Sequence, residues 1–304
     1  MKYLCLFIVL LYIVGCKKTE KGKEQDVIRV SVLKGPSAIA FAQCLEFPPV
    51  VNGKAVSITI ADSPDIIQAS LIKGEADIAV LPMISAANLY NKGIRYPLLG
   101  CPLWGTLYLI GKNSPSSKNE LYLFGTGTTP DILTRYYLDR KRLAYPMNYS
   151  FSTAPEVLQA LLAGKAEMVV LSEPFVSMAL RKDTTLRIIG DLNNPEDLSP
   201  EFPQTAIVCN ILLSEDASQL DSILRASCQF AVEHPVEAIR ILEERHVFAP
   251  GMLTPEGIER CKIHYQTAKE AQQSIDSFLR LIEQYEPKAL GGRLPDSSFI
   301  SKRE

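Results

Sequence analysis

Residues 66–81 read IIQASLIKGEADIAVL, and ninety positions later residues 156–171 read EVLQALLAGKAEMVVL. Each segment carries apolar residues at helical spacing, a glycine where the helix should stop, and a short apolar run of strand length. Gly74 matches Gly164, Ala76 matches Ala166, and Asp77 matches Glu167. A strand–helix–strand unit present twice constrains the chain strongly: each copy needs its own sheet to cover, so the expectation is two similar α/β lobes. The helix starts agree. Ser63-Pro64-Asp65 offers a capping residue, a proline at the first helical position and an acid in the first turn. Thr153 and Glu156 have the spacing of a capping box, and Gly74 is placed to end its helix.

The flanking segments extend the pattern. Residues 27–33 (VIRVSVL) alternate apolar and polar, as a half-buried strand does. Gly35-Pro36-Ser37 breaks the strand, and Ala38, Ile39, Phe41, Ala42 and Leu45 then follow helical spacing. Residues 56–60 and 77–81 read as further strands. Alternating strands and helices predict a mostly parallel sheet with helices on its faces. Two apolar segments, 103–110 and 205–213, are expected to be crossover strands that leave the first lobe and return to it. The last third reads as helical over 217–233, 235–244, 255–267 and 269–285, followed by an irregular tail at 290–298.

The N-terminus is of another kind. Residues 3–14 carry no charge, but twelve residues make only about 18 Å of helix, short of a bilayer core of roughly 30 Å. A basic start, a short apolar stretch and a small residue make a secretory signal peptide. Lys17 and Lys18 follow at once, which argues against an anchor helix or a buried first helix. Ile13-Val14-Gly15-Cys16 resembles the lipobox of bacterial lipoproteins. That resemblance implies cleavage before Cys16, a diacylglycerol on its thiol, and attachment to a membrane. The expected organisation is a signal peptide over 1–15, the lipidated cysteine with a polar tether over 16–26, a first lobe from 27–107 with 206–304, and a second lobe over 108–205. Thirty-two basic residues against 34 acidic ones leave no excess to neutralise a phosphate backbone, so nucleic acid is not expected as a partner. Of seven cysteines none forms a Cys-x-x-Cys pair. Cys44, Cys101, Cys209, Cys228 and Cys261 are read as buried thiols, at least one of them unpaired.

Several motifs resemble one family. GEADIAVLP (74–82), FGTGTTPD (124–131), LSEPF (171–175), LPMISAANLYNKG (81–93) and the LGGRLPD tail (290–296) are similar to the nitrate/sulfonate/taurine/thiamine-precursor substrate-binding proteins of ABC transporters. The resemblance implies a type II periplasmic-binding-protein fold, two α/β lobes joined by two crossover strands. It further implies a small-molecule ligand held between lobes that close over it, and delivery to a membrane permease driven by an ATPase. A monomer is expected, with no cofactor and no metal.

In such sheets ligands sit beyond the carboxyl ends of the strands, where helices begin. The candidate ligand contacts are therefore Pro36 and Ser37 in the first lobe and Thr126, Gly127, Thr128 and Thr129 in the second. Free helix N–H groups and hydroxyls there could donate to a polar or anionic group, or the same residues could simply cap their helices. Asp131 in the first turn and the lack of an arginine in these loops tilt the expectation toward a neutral or heterocyclic ligand, with sulfonate still open. Trp104, the single tryptophan, could stack on a ligand ring or pack the hinge. Met83 could line the pocket or fill the core. Glu173 could accept from a ligand N–H or pair with a neighbouring group. The three histidines, His234, His246 and His264, fall outside all these loops and read as exposed helix residues. No Gly-x-Ser-x-Gly, phosphate-loop lysine or HExxH pattern occurs, so the chain reads as a binder. A sensory lipoprotein, or an enzyme on the same scaffold, are the alternatives.

Overall fold

The computed structural model describes residues 27–112, 120–193 and 201–300. The signal peptide, Cys16 and the tether lie outside these residues.

The first half of lobe one runs β1 (Val27–Leu33), α1 (Pro36–Ile39), α2 (Ala42–Glu46), β2 (Val50–Val51), β3 (Lys54–Ala61), α3 (Pro64–Lys73), β4 (Ile78–Pro82), α4 (Met83–Asn91) and β5 (Leu98–Leu103). Lobe two follows with β6 (Leu107–Gly111), β7 (Leu121–Tyr122), α5 (Thr129–Lys141), β8 (Met147–Asn148), α6 (Ala154–Leu162), β9 (Met168–Ser172), α7 (Phe175–Lys182) and β10 (Arg187–Asp191). The chain returns through β11 (Thr205–Cys209), α8 (Ala217–Glu233), α9 (Pro235–Glu244), α10 (Pro255–Arg260), β12 (Ile263–Thr267) and α11 (Gln272–Tyr285). One sheet has the order β12-β5-β11-β4-β1-β3-β2, the other β10-β6-β9-β7-β8. This two-sheet α/β architecture is the expected class.

The repeat holds in three dimensions. α3 with β4 and α6 with β9 occupy equivalent places in the two sheets. Gly74 and Gly164 both sit at φ +69°, and both helices close with paired turn bonds (Glu75 N to Ser70 O, Lys165 N to Ala160 O). A left-handed residue just past a helix is the place where glycine avoids a Cβ penalty. The capping box at Thr153 and Glu156 forms, whereas Ser63 occupies the N-cap position of α3 without a side-chain bond.

Four sequence expectations are corrected. The sheets are mixed, not mostly parallel: β1 pairs in parallel with β3 and β4, but β11 runs antiparallel to both β4 and β5. The cause is topological, because strands entering from the other lobe arrive in the reverse direction. Residues 103–110 are two strands in different sheets, with Trp104-Gly105-Thr106 crossing between β5 and β6. The strand in 205–213 ends at Cys209, and a 3-10 turn over Ile211–Asp216 follows. Residues 255–267 are not one helix. α10 stops at Arg260, Lys262 takes φ +48°, and the chain reverses into β12 against β5.

The apolar side chains divide by face. One core is continuous across both lobes: Leu81, Met83 and Leu98 join Leu121, Ile132 and Leu133, with Phe278 and Ile282 from α11. On the opposite faces the cores separate. One, around Val32, Ile39, Ile207 and Leu242, belongs to the first sheet; the other, around Ile110, Val157, Leu171 and Val176, belongs to the second. The five cysteines from Cys44 to Cys261 are buried, and no disulfide joins any two of them.

Candidate functional site

Where the two separate cores face each other, the carboxyl ends of β1, β3 and β9 converge. A cavity of about 660 Å³ lies there, lined by Lys34-Gly35-Pro36 and Asp62 on one side and Ser172-Glu173-Pro174-Phe175 on the other, with the 246–252 loop between α9 and α10 closing it. Both β1 and β9 lead directly into a helix start, α1 and α7, and these strand-to-helix turns form the two sides. Gly35 takes φ +114°, and nothing lies within 4 Å of where its Cβ would stand, so the backbone is bare on that side.

The walls are apolar, supplied by Pro36, Pro174, Phe175, Val247, Phe248 and Met252. Charge sits at the rim. Lys34 Nζ pairs with Asp62 Oδ1 at 3.1 Å, with both side chains substantially exposed. Such a pair contributes little to stability and gives way easily to a competing charge. His246, at φ +57° at the end of α9, also lines the cavity. It is exposed, as expected, but lies in the turn after α9 and not within a helix.

Glu173 forms the buried end of the site. Its side chain is fully buried; Oε1 accepts from Arg260 Nε at 2.6 Å, and Oε2 accepts from Ser177 N at 3.1 Å. Arg260 also donates to Ser177 Oγ at 2.8 Å. A Cβ on Gly257 would stand 2.6 Å from Ser177 Oγ and 3.3 Å from Glu173 Oε2, so α10 packs against α7 only because that position is glycine.

The other sequence candidates are placed elsewhere. Ser37 is buried with its Oγ 3.3 Å from Thr205 Oγ1, at the start of the returning strand. Met83 is fully buried in the shared core. Trp104 is 1% exposed; it stacks on the His264 ring at 4.9 Å and 9°, and its indole N–H donates to the His264 carbonyl at 2.9 Å. It packs the first crossover and does not line the described cavity. His264, read as an exposed helix residue, is exposed but lies on strand β12; partial desolvation of its ring, which stacks on Trp104, holds its pKa below the usual imidazole value.

Thr126, Gly127, Thr128 and Thr129 also lie outside the cavity lining. The Gly127 N–H donates to Asp131 Oδ2 at 2.7 Å, and the same buried carboxylate accepts from Tyr149 Oη at 2.6 Å and Arg135 at 3.0 Å. The loop amide that could hold an anion is thus already engaged by the chain's own acid. Thr128 Oγ1 turns back to the Gly125 carbonyl. Among the described residues Thr129 Oγ1 is buried without a partner. The structure therefore brings Pro36 and Glu173 together and leaves the remaining candidates in the core, at the crossovers or in a self-bonded loop.

The sequence reading missed the 246–252 loop and Arg260. The loop, HVFAPGM, was legible as an apolar Pro-Gly interruption between two helices. Arg260 was not, because its approach to Glu173 depends on α10 packing against α7, a contact between segments far apart in sequence.

No known protein-family profile matches the chain, and no curated protein sequence matches it. Among solved structures, the crystal structure of an ABC transporter from Parabacteroides distasonis is 58% identical, with a TM-score of 0.88, covering 91% of this chain and 99% of that one. The periplasmic aliphatic sulphonate binding protein of Escherichia coli superposes with a TM-score of 0.68 at 14% identity over 90% of this chain and 91% of that one. The ligand binding component of an ABC-type import system from Staphylococcus aureus, solved with zinc bound, gives 0.66 at 14% identity, covering 92% and 99%. The last two speak for the fold alone.

Proposed function

This chain belongs to the ABC-transporter substrate-binding proteins, and from that premise we propose that it is a lipid-anchored receptor that captures a small molecule between its lobes and hands it to a permease. Residues 27–107 with 206–304 form the first lobe in this reading, and 108–205 the second. Cys16 carries the lipid and 16–26 the tether, which holds the body at a membrane surface on the periplasmic or extracellular side. The protein acts as a monomer and not as an enzyme.

The observation that carries the reading is the cavity built from both lobes at the ends of β1, β3 and β9. Its volume of about 660 Å³ lies inside the range of small-ligand sites. Apolar walls with an exposed Lys34–Asp62 pair at the rim suit an organic anion: the body packs between Phe175 and Phe248, and the charged group draws Lys34 from Asp62, with His246 beside it. A sulfonate with an organic tail satisfies this description better than bare nitrate, which would leave the apolar walls unused. A thiamine-precursor-like heterocycle is the second reading, favoured by the two phenylalanines. Ligand binding the closed arrangement better than the open one drives closure.

A thermal-shift screen with alkanesulfonates, nitrate, pyrimidines and amino acids tests this directly, since a ligand of the folded state raises Tm. Alkanesulfonates are expected to stabilise, and Lys34→Met to abolish their effect while sparing that of any neutral ligand. No stabilisation by any class would overturn the reading. Cys16→Ser is expected to release the protein into the soluble fraction, and continued membrane retention would contradict the anchor.

A further inference from the structure

The turn Arg260-Cys261-Lys262, in lobe one, directs its three carbonyls and its two basic side chains at the other lobe and the crossovers. Its three successive carbonyls accept from Tyr108 Oη (2.7 Å), Gly105 N (3.3 Å) and Trp104 N (3.3 Å). The Lys262 ammonium reaches Asp191 at 3.5 Å and Glu201 at 3.1 Å, on either side of the second crossover. Arg260 reaches the fully buried Glu173. These bonds differ in where they act. The carbonyl and lysine contacts sit on the connecting strands, which stay together when lobes rotate. The Arg260 contact runs from α10 to the wall of the cavity, and across it Ser177 Oγ lies 3.4 Å from Thr254 Oγ1.

We propose that Arg260, with Ser177, is a positioning residue whose ion pair to Glu173 latches the two lobes and holds the Ser172–Phe175 wall against lobe one before ligand arrives. The inference rests on reading the cavity as the ligand cleft. Glu173 occupies the pocket end as a structural acid, its two oxygens taken by Arg260 and the Ser177 amide. Removing one partner of a buried pair leaves the other charge uncompensated in the closed arrangement. Opening lets water reach the stranded group, so loss of either partner shifts the lobes toward the open arrangement. Ligand affinity is thereby tuned without any contact between Arg260 and ligand, because affinity scales with the fraction of molecules already competent.

The test is solution X-ray scattering on ligand-free protein, with Tm measured in parallel. Arg260→Gln and Glu173→Gln are each expected to raise the radius of gyration above the parent's, reflecting a closed-to-open ratio lowered by about a hundredfold. The double variant should expand no further than either single one, since both break the same contact. Arg260→Lys, which keeps charge but loses the fork, should expand less. Glu173→Gln keeps the shape and one acceptor, and so serves if Arg260→Gln fails to fold. Unchanged radii in both single variants, even with a lowered Tm, would overturn the latch, and so would equal expansion by Lys262→Met. Because no ligand is present, this outcome is independent of the ligand screen, whose failure would instead overturn the cleft.

Discussion

The lobes meet along two faces that differ in chemistry. On one, α5 of lobe two packs on α11 of lobe one. Tyr136 lies edge-on to Phe202 and Tyr285, Phe202 stacks on Phe278, and Tyr285 Oη donates to Asp139 at 2.6 Å. Arg135 adds a bond to the Tyr285 carbonyl. The apolar core runs through this seam unbroken. On the other face the cores stop short of each other, the cavity intervenes, and the bridges among the described residues are polar: the Arg260–Glu173 ion pair with its hydroxyl neighbours, and Arg181 donating to the Gly251 carbonyl. Close-packed aromatic surfaces lose contacts steeply as they separate. An ion pair beside a cavity can exchange its partner for water. In the proposed reading the difference divides the roles: the seam holds the lobes, and the cavity face is the one that opens and closes.

The largest expected effect breaks the seam. Phe278→Ala should cost about 3–5 kcal/mol of global stability in urea unfolding, because it empties a fully buried aromatic site between the lobes. Val176→Ala, in the core belonging to lobe two alone, should cost about 1–2 kcal/mol. A reversed order would mean that the seam is not the principal support. On the opposite face, Glu173→Gln should cost about 2 kcal/mol by the same assay, the value of a hydrogen bond to a charged group; a cost equal to that of Phe278→Ala would erase the contrast.

Smaller effects probe the equivalence of the lobes. Gly74→Ala and Gly164→Ala should each cost about 1 kcal/mol. Both glycines share φ +69° with open space where a Cβ would stand, so the penalty is backbone strain alone. Unequal costs would show that one copy of the repeat tolerates the strain better. The smallest effect is at the crossover. Partial desolvation lowers the His264 pKa below 6.5, so protons favour the unfolded chain. Its contribution to stability is complete above about pH 6.5 and declines as pH falls below it. Trp104 emission, reporting the stack, should change over that same acid range, and His264→Gln should remove the change.

The repeat, its two terminal glycines and the capping box were legible because they are local: a few adjacent residues fix each conformation. The site was legible only in part. Pro36 and Glu173 were placed at strand ends by pattern alone, and the structure puts both at the cavity. Trp104, Met83 and the Thr126–Thr129 loop do not line the described cavity, and most of the partners that hold them elsewhere are distant in sequence. His264 comes from β12, Gln204 O bonds the Met83 amide, and Tyr149 and Arg135 converge on Asp131. The misread helix over 255–267 is the instructive case. Ile258, Cys261 and Ile263 suit either a helix or a strand, and the left-handed residue that divides them is a lysine, without the glycine that usually marks such a stop. That turn carries Arg260.

Hydrogen exchange with and without the stabilising compound from the ligand screen tests the central claim most directly. The account predicts slowed exchange in 34–37, 172–177 and 246–257, with 129–141 and 272–285 unchanged. Slowed exchange confined to the α5–α11 seam, with the cavity segments unaffected, would contradict it.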